Sequence, residues 1–172
     1  MDLASLIRDV PDFPQPGIVF KDITTLLQRP AALREVVDRF TAHYRDQHID
    51  AVVAIESRGF IFGGALAYQL DASFVPVRKA GKLPAETARV AYELEYGSAE
   101  VQIHRDALEP GQRALILDDL LATGGTAAAT ALLVEGLRAA VAGIAFVIEL
   151  DFLQGRQKLG RYADVIHTLI HY

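Results

Sequence analysis

The chain has 172 residues, of which 51% are hydrophobic and 23% charged, so it can bury a real core and is not disordered. No apolar run reaches the ~18–20 residues of a membrane-spanning helix, and no secretory signal opens the chain. Without cysteine, disulfides and thiol chemistry are excluded, and a net charge of −5 with no long basic block argues against general nucleic-acid binding. We expect a single cytoplasmic domain over residues 1–172 with no membrane or nucleic-acid partner.

The first thirty residues differ in pattern from the rest. Leu3–Val10 predicts a short amphipathic helix that ends at Pro11. Asp12–Thr25 predicts an ordered loop, because two prolines and a glycine interrupt any helical or strand period. Its apolar residues, among them Val19 and Phe20, either pack on the edge of the core or form a hood in which Phe20 stacks on a flat ring.

A predicted helix over Pro30–Gln47 leads to a buried strand, Ala51–Ile55, and then to a second helix, Ile61–Leu70. Between this strand and the second helix stand Ser57 and Arg58. Open α/β sheets bind ligands at the carboxyl ends of their strands, so Arg58 is a candidate anion ligand. The alternative is a surface ion pair with its neighbour in sequence, Glu56, which contributes little.

The predicted strand Ser73–Val77 is followed by a turn rich in cations, Arg78, Lys79 and Lys82. Three cations in five residues form either a solvated basic turn or an anion trap. A ligand that carries several negative charges would need such cations.

The stretch Ala85–Ala107 is polar and predicts a β-hairpin that stands off the sheet, with β-like runs at Val90–Tyr96 and Ala99–His104 around a turn at Gly97-Ser98. A long polar hairpin between core strands is either a surface decoration or a lid over a site.

The most informative stretch predicts a buried strand, Ala114–Asp118, a small polar turn, and a helix over Thr126–Ala140. Asp118 and Asp119 end the strand, and Thr-Gly-Gly-Thr forms the turn. Backbone N–H groups of such a turn bind phosphate, while two carboxylates suit sugar hydroxyls or Mg²⁺ held through water. The alternative is that one aspartate caps the helix and the other is solvated.

The remaining segments predict strands over Ile144–Leu150 and Val165–Ile170, separated by a basic stretch, Gly155–Lys158. We expect no metal pair at His167 and His171, because no Asp, Glu or Cys is spaced to join them. Motifs of P-loop proteins, dinucleotide-binding enzymes and serine hydrolases are absent. The predicted fold is α/β, a mostly parallel sheet flanked by helices, with a hairpin lid (residues 79–107) and a small hood (residues 1–30).

Four motifs in order, PDFPQPGIVFKDIT, ESRGF, LEYG and DDLLATGGT, resemble those of type I phosphoribosyltransferases, and among them the adenine phosphoribosyltransferases. The resemblance covers nearly the whole chain. It implies transfer of the phosphoribosyl group of 5-phosphoribosyl-1-pyrophosphate (PRPP) to adenine, giving AMP and pyrophosphate. It also implies Mg²⁺ bound through PRPP and water, with no direct protein ligand, and a homodimer.

The resemblance also implies a role for each site residue. The 5′-phosphate is bound by Ala122, Thr123, Gly124, Gly125 and Thr126, and the ribose by Asp118 and Asp119. Pyrophosphate is bound by Ser57, Arg58, Arg78, Lys79 and Lys82, and Arg58 is also catalytic. The base contacts Val19, Phe20 and Leu150, and proton transfer at the ring is assigned to Glu95.

Ala122 favours this choice of acid. Enzymes that act on hypoxanthine or guanine resemble the motif but carry an aspartate here as their acid or base, and alanine cannot move a proton. Glu95 is therefore the candidate, with Glu149 a weaker one. Two functions stay open: a phosphoribosyltransferase for another purine, and a PRPP-sensing regulator without catalysis.

Overall fold

The computed structural model describes residues 1–93 and 97–172, and these form two compact units, Met1–Arg39 and Phe40–Tyr172. The first unit contains a 3-10 helix, Ala4–Leu6, and two strands, β1 (Arg8–Pro11) and β2 (Val19–Asp22), which pair antiparallel.

A short helix, α1 (Thr24–Leu27), follows these strands, and α2 (Pro30–Tyr44) runs on into the second unit. The predicted helix over Leu3–Val10 is wrong, because that stretch holds only the 3-10 helix Ala4–Leu6 and then enters strand β1 at Arg8. The predicted loop over Asp12–Thr25 is wrong at its carboxyl end, where β2 and α1 begin.

Charged pairs across the two strands explain this departure. Arg8 lies opposite Asp22 and its guanidinium donates to that carboxylate at 2.6 Å, while Lys21 lies opposite Asp9 with an ion pair of 2.7 Å. Opposite charges at facing positions stabilise an antiparallel pair, whereas the sequence of either strand alone lacks an apolar alternation.

In the described part of the second unit, seven strands form one sheet in the order β5-β6-β4-β3-β7-β8-β9. The strands are β3 (Ala51–Ile55), β4 (Ser73–Lys79), β5 (Thr87–Glu93), β6 (Ser98–His104), β7 (Arg113–Leu121), β8 (Ala140–Glu149) and β9 (Ile166–His171). The pairs among β3, β4, β7, β8 and β9 are parallel, and β6 pairs antiparallel with both β5 and β4. The predicted α/β class with a mostly parallel sheet is therefore confirmed.

Helices cover both faces of this sheet. In α3 (Gly59–Leu70), a Cβ added to Gly63 would lie 2.5 Å from the Cβ of Ala54, so this helix packs directly on one face of β3. Helix α4 (Gly125–Gly136) packs with Val53 of the opposite face in the main apolar cluster. Because side chains alternate across a strand, the two helices lie on opposite sides.

The last segment contains the 3-10 helix Asp151–Leu153, helix α5 (Gly155–Leu159) and the 3-10 helix Gly160–Val165.

The predicted strand over Ala51–Ile55 is confirmed. The helix predicted over Thr126–Ala140 is too long at its carboxyl end, because Arg138 takes a positive φ of 65° and Ala140 opens β8.

The hairpin also differs from its prediction. Its strand β6 continues the sheet by pairing Gln102 with Arg78 and Val101 with Lys79, so the hairpin does not stand off the sheet. Part of the predicted run Val90–Tyr96 lies outside the described residues.

No helix in residues 1–93 and 97–172 combines the length and the hydropathy needed to cross a membrane.

Candidate active site

The carboxyl ends of three neighbouring parallel strands bring most predicted site residues to one edge of the sheet. Ser57 and Arg58 follow β3, Arg78 and Lys79 end β4, and the aspartates lie in the last half of β7. This edge is where open α/β sheets bind ligands. Strand β7 extends three residues beyond its predicted end, so both aspartates lie within the strand.

A cavity lies at the end of β7. Its lining is a consecutive run, residues 120–127, that includes the predicted phosphate turn, together with one aspartate of β7 and one aromatic residue of β8. The lining residues are Asp118, Leu120, Leu121, Ala122, Thr123, Gly124, Gly125, Thr126, Ala127 and Phe146. Helix α4 begins at Gly125, so its N–H groups and positive dipole end face this cavity.

The glycines of the turn leave room for neighbouring residues of the protein, in addition to letting a ligand come close. Gly124 takes a φ of +83°, and an added Cβ would lie 2.5 Å from the carbonyl oxygen of Gly155. A Cβ on Gly125 would lie 3.1 Å from the ring of Tyr92. The hydroxyl of Thr126 donates to the Tyr92 hydroxyl at 3.0 Å. The turn is thus held between strand β5 and helix α5.

The two aspartates have different environments. Asp119 is 4% exposed and accepts a hydrogen bond from Nε of Arg58. Asp118 lines the cavity, and its Oδ1 accepts the backbone N–H of Asp119 at 2.8 Å. Burial, and then the charge of Asp119, raise the pKa of Asp118 above its ordinary value. A cation or hydroxyl donors beside the pair would therefore stabilise the charged form of Asp118.

The predicted pyrophosphate ligands lie on the other side of Asp119. Arg78 donates to both carboxylate oxygens of Glu56, at 3.1 and 3.3 Å, and the backbone N–H of Lys79 donates to the same carboxylate at 3.0 Å. Burial raises the pKa of Glu56, but these hydrogen bonds outweigh it and the pKa is lowered. The alternative interpretation of Arg58 as a partner of Glu56 is wrong, since Arg58 pairs with Asp119.

Ser57 and Lys82 are exposed at this edge, and the carbonyl oxygen of Lys82 accepts from Arg78 at 3.3 Å. Leu150 is 8% exposed, and its N–H donates to the carbonyl of Leu121 at 3.0 Å. Leu150, which is predicted to contact the base, thus lies beside the end of β7.

The remaining candidates are Val19, Phe20, Glu95 and Glu149. In the first unit, Val19 is exposed and Phe20 is half-buried, with its ring edge-on to Phe13 at 5.2 Å. Glu95 lies outside the described residues. Glu149, the weaker acid candidate, is 3% exposed with both carboxylate oxygens already accepting from Arg156.

Sequence spacing shows no acid partner for the histidines of β9, but the structure places two carboxylates beside His171. The parallel pairing of β8 with β9 sets Glu149 opposite His171, and Asp151 follows, so that three possible ligand atoms lie within 4.8 Å of one another. His167 stacks instead on His43, with ring centroids 3.9 Å apart. Residues far apart in sequence meet here only through the sheet.

Comparison with known proteins adds to this geometry. Residues 22–169 match the model of the phosphoribosyl transferase domain. The chain is 65% identical over 159 residues to an adenine phosphoribosyltransferase of Acaryochloris marina, covering 92% of this chain and 94% of the relative. The chain belongs to the adenine phosphoribosyltransferase family.

Solved structures of adenine phosphoribosyltransferases share the fold. That of Thermoanaerobacter pseudethanolicus is 49% identical, with a TM-score of 0.95 over 99% of this chain and 98% of its own. That of Saccharomyces cerevisiae, crystallised with an imino-altritol bisphosphate and adenine, is 43% identical, with a TM-score of 0.92 over 98% and 96%. The resemblance of the four motifs is confirmed at the level of family and fold.

Proposed function

We propose that the protein transfers the 5-phosphoribosyl group from PRPP to adenine, giving AMP and pyrophosphate, a reaction of purine salvage. The observation that carries the proposal is the cavity at the end of β7, which combines a glycine-rich turn, a helix N-terminus and two carboxylates. This set fits a ligand with a phosphate and a sugar diol. The family's name describes the same transfer.

One end of the substrate is assigned to the turn that runs from Ala122 to Thr126. Its backbone N–H groups and hydroxyls would bind the 5′-phosphate, since the amides at a helix start have no partner within the helix. Asp118 and Asp119 would accept hydrogen bonds from the ribose 2′ and 3′ hydroxyls. Hydroxyl donors at Asp118 would stabilise its charged form, and so offset the burial and the neighbouring charge that raise its pKa.

The other end is assigned to the cations after β3 and β4, with Ser57. Arg58 and Arg78 already pair with Asp119 and Glu56, so these acids hold the guanidiniums in place before substrate arrives. Lys79 and Lys82 would add charge to the leaving pyrophosphate. Fixed cations that strengthen as charge develops lower the barrier.

The carboxylates at this edge fit a magnesium ion bound mainly by substrate. Mg²⁺ keeps several waters and takes one or two carboxylates plus phosphate oxygens. Asp118 and Asp119 can accept hydrogen bonds from such waters, whereas the described group with three possible ligands lies elsewhere, at Glu149, Asp151 and His171. We assign the ion no direct protein ligand; Asp118 and Asp119 would face it through water. When bound, it neutralises pyrophosphate charge.

The reaction forms a bond from N9 of adenine to C1′ and breaks the bond from C1′ to pyrophosphate, which leaves with the electron pair. Glu95 is proposed to take the ring proton. The assignment of Val19, Phe20 and Leu150 to the base, and of residues 79–107 to a lid that excludes water, remains a prediction from the resemblance.

An assay of pyrophosphate release with PRPP, Mg²⁺ and five purine bases tests the proposal. We expect turnover with adenine and little with hypoxanthine, guanine, xanthine or a methylated adenine. A preference for a 6-oxopurine would replace adenine as the substrate. Binding of PRPP with no release from any base would make the protein a PRPP-sensing regulator.

We also propose a homodimer, because symmetric dimers are the commonest assembly of small enzymes. Light scattering after size-exclusion chromatography tests it, and a mass near 18.8 kDa would contradict it. The cytoplasmic location remains a prediction from composition.

A further inference from the structure

Helix α5 is fixed by a buried ion pair that the reaction assigned above does not use. Glu149, at the end of β8, is 3% exposed and accepts three hydrogen bonds from Arg156, at 2.7 to 2.9 Å. Thr168 of β9 donates to the same carboxylate at 2.9 Å and accepts from Arg156 at 3.2 Å. Paired and bidentate charges of this kind fix a side chain in one geometry. Helix α5 is thus attached to the sheet next to the phosphate turn.

Close packing of backbone on backbone then sets α5 against the turn itself. A Cβ added to Gly155 would overlap the carbonyl oxygen of Ala122 and lie 2.8 Å from the side chain of Leu121. In return, Gly124 leaves room for the carbonyl of Gly155. The start of α5 therefore has a fixed position relative to the turn.

This position places a cation at the cavity. Lys158 lies in the last turn of α5, and its ammonium nitrogen is 3.8 Å from the Cβ position of Gly125, the first residue of α4. The residue is exposed, and within residues 1–93 and 97–172 no carboxylate lies within 4 Å of its ammonium group. Its charge is therefore directed at the turn, and none of the acids that the structure describes pairs with it.

The turn itself offers only neutral donors. Its residues contribute backbone N–H groups and two hydroxyls, while the phosphate of a sugar phosphate carries up to two negative charges. Arg58 and Arg78 are paired with acids at the other end of the site. We propose that Lys158 binds the terminal phosphate of the phosphoribosyl group as a cationic ligand outside the motif. The inference rests on the proposed function and adds a residue to its phosphate site.

The test measures binding of two probes by calorimetry, at low and equal salt. Ribose 5-phosphate carries only the terminal phosphate, and pyrophosphate lacks it. Lys158→Gln should weaken ribose 5-phosphate binding about tenfold, the size of one charge-assisted hydrogen bond, and leave pyrophosphate binding within twofold. Lys158→Arg should restore most of the affinity. The matched control is Arg138→Gln, which removes an exposed cation at the far end of α4.

The outcomes separate this inference from the function it rests on. If the wild type turns over adenine and PRPP but Lys158→Gln binds ribose 5-phosphate as the wild type does, Lys158 is not a ligand and the function stands. If Arg138→Gln weakens binding equally, the effect is general electrostatics and the inference fails. If the wild type neither turns over nor binds ribose 5-phosphate, the phosphate site itself is wrongly assigned.

Discussion

The two ends of the candidate site handle negative charge by different means. At the end of β7, backbone amides, a helix start and closely packed glycines form a cavity of fixed shape. At the ends of β3 and β4, arginine side chains are held by the buried or half-buried acids Glu56 and Asp119. We call the first the shaped end, because it depends on the path of the backbone. We call the second the charged end, because it depends on the placement of charges.

This difference suits what each end has to do. The 5′-phosphate keeps its charge throughout transfer, so its site needs only to bind and orient it. Pyrophosphate gains charge as the C1′ bond breaks, and interactions that are stronger in the transition state than in the ground state raise the rate. Substitutions at the charged end should therefore lower kcat, and those at the shaped end should raise KM for PRPP.

The largest effect is expected at Arg58. Arg58→Ala removes the cation proposed to bind the leaving group and leaves Asp119 buried without its partner, so kcat should fall by about two to three decades. Steady-state kinetics with adenine and PRPP measure this. Arg45→Ala, an exposed arginine at the end of α2, should behave as the wild type. Unchanged turnover for Arg58→Ala would remove Arg58 from the chemistry.

A substitution at Gly155 should break the shaped end. Gly155→Ala forces a methyl group into the carbonyl of Ala122, and overpacking of this kind costs about 1–3 kcal/mol of stability. The KM for PRPP should rise about tenfold while kcat changes less. Urea unfolding and kinetics check both. Gly136→Ala is the control, since nothing lies within 4 Å of an added Cβ there.

Equal behaviour of these two alanine variants would contradict the role of α5 in fixing the turn. A large fall in kcat with unchanged KM for Gly155→Ala would instead contradict the division between a shaped and a charged end.

A smaller effect is expected from Tyr92, which tests a neutral contact at the shaped end. Tyr92→Phe removes the hydroxyl that accepts from Thr126, and a neutral hydrogen bond contributes about 0.5–1.5 kcal/mol. The KM for PRPP should therefore rise a few-fold with kcat unchanged. Tyr68→Phe, at an exposed position on α3, is the control and should change neither. If Tyr92→Phe and Tyr68→Phe give the same KM for PRPP, the contact between β5 and the turn does not contribute to binding.

Local patterns in the sequence predict the elements that make up the site. The buried strand Ala51–Ile55 and the strand, turn and helix around Asp118 are visible because apolar runs, glycines and acids stand next to one another in the chain. The family resemblance added residue roles that pattern alone leaves open. What could be predicted is therefore the set of elements, together with the edge of the sheet at which they meet.

The partners of the site residues could not be predicted, because they come from distant segments. Arg58 and Asp119 are 61 residues apart, and Glu149 meets Thr168 only because β8 pairs with β9. Likewise, the sequence does not show that the basic stretch of α5 lies beside the turn, because only the structure shows Gly155 packed on it. Pairing across a sheet fixes such contacts, and a single sequence does not show register between distant strands.

The smallest expected effect concerns strand β9, in which His167 makes stability depend on pH. Burial lowers the pKa of His167 below its ordinary value of 6.5, and the charges of His43 and Arg156 lower it further. The folded state binds a proton at His167 less readily than the unfolded state does. The contribution of neutral His167 to the free energy of unfolding is therefore fully present above about pH 6.5. It is lost as the pH falls from there through the folded-state pKa.

The midpoint of urea unfolding should therefore fall between about pH 7.5 and about pH 5.5. His167→Gln should lessen this fall, whereas His48→Gln, at an exposed site, should keep it. The turnover ratio of wild type to Arg58→Ala should stay constant over this range, because the charged end does not include His167. A stability that rises toward acid pH, or equal slopes for the two histidine variants, would show that His167 does not carry the effect.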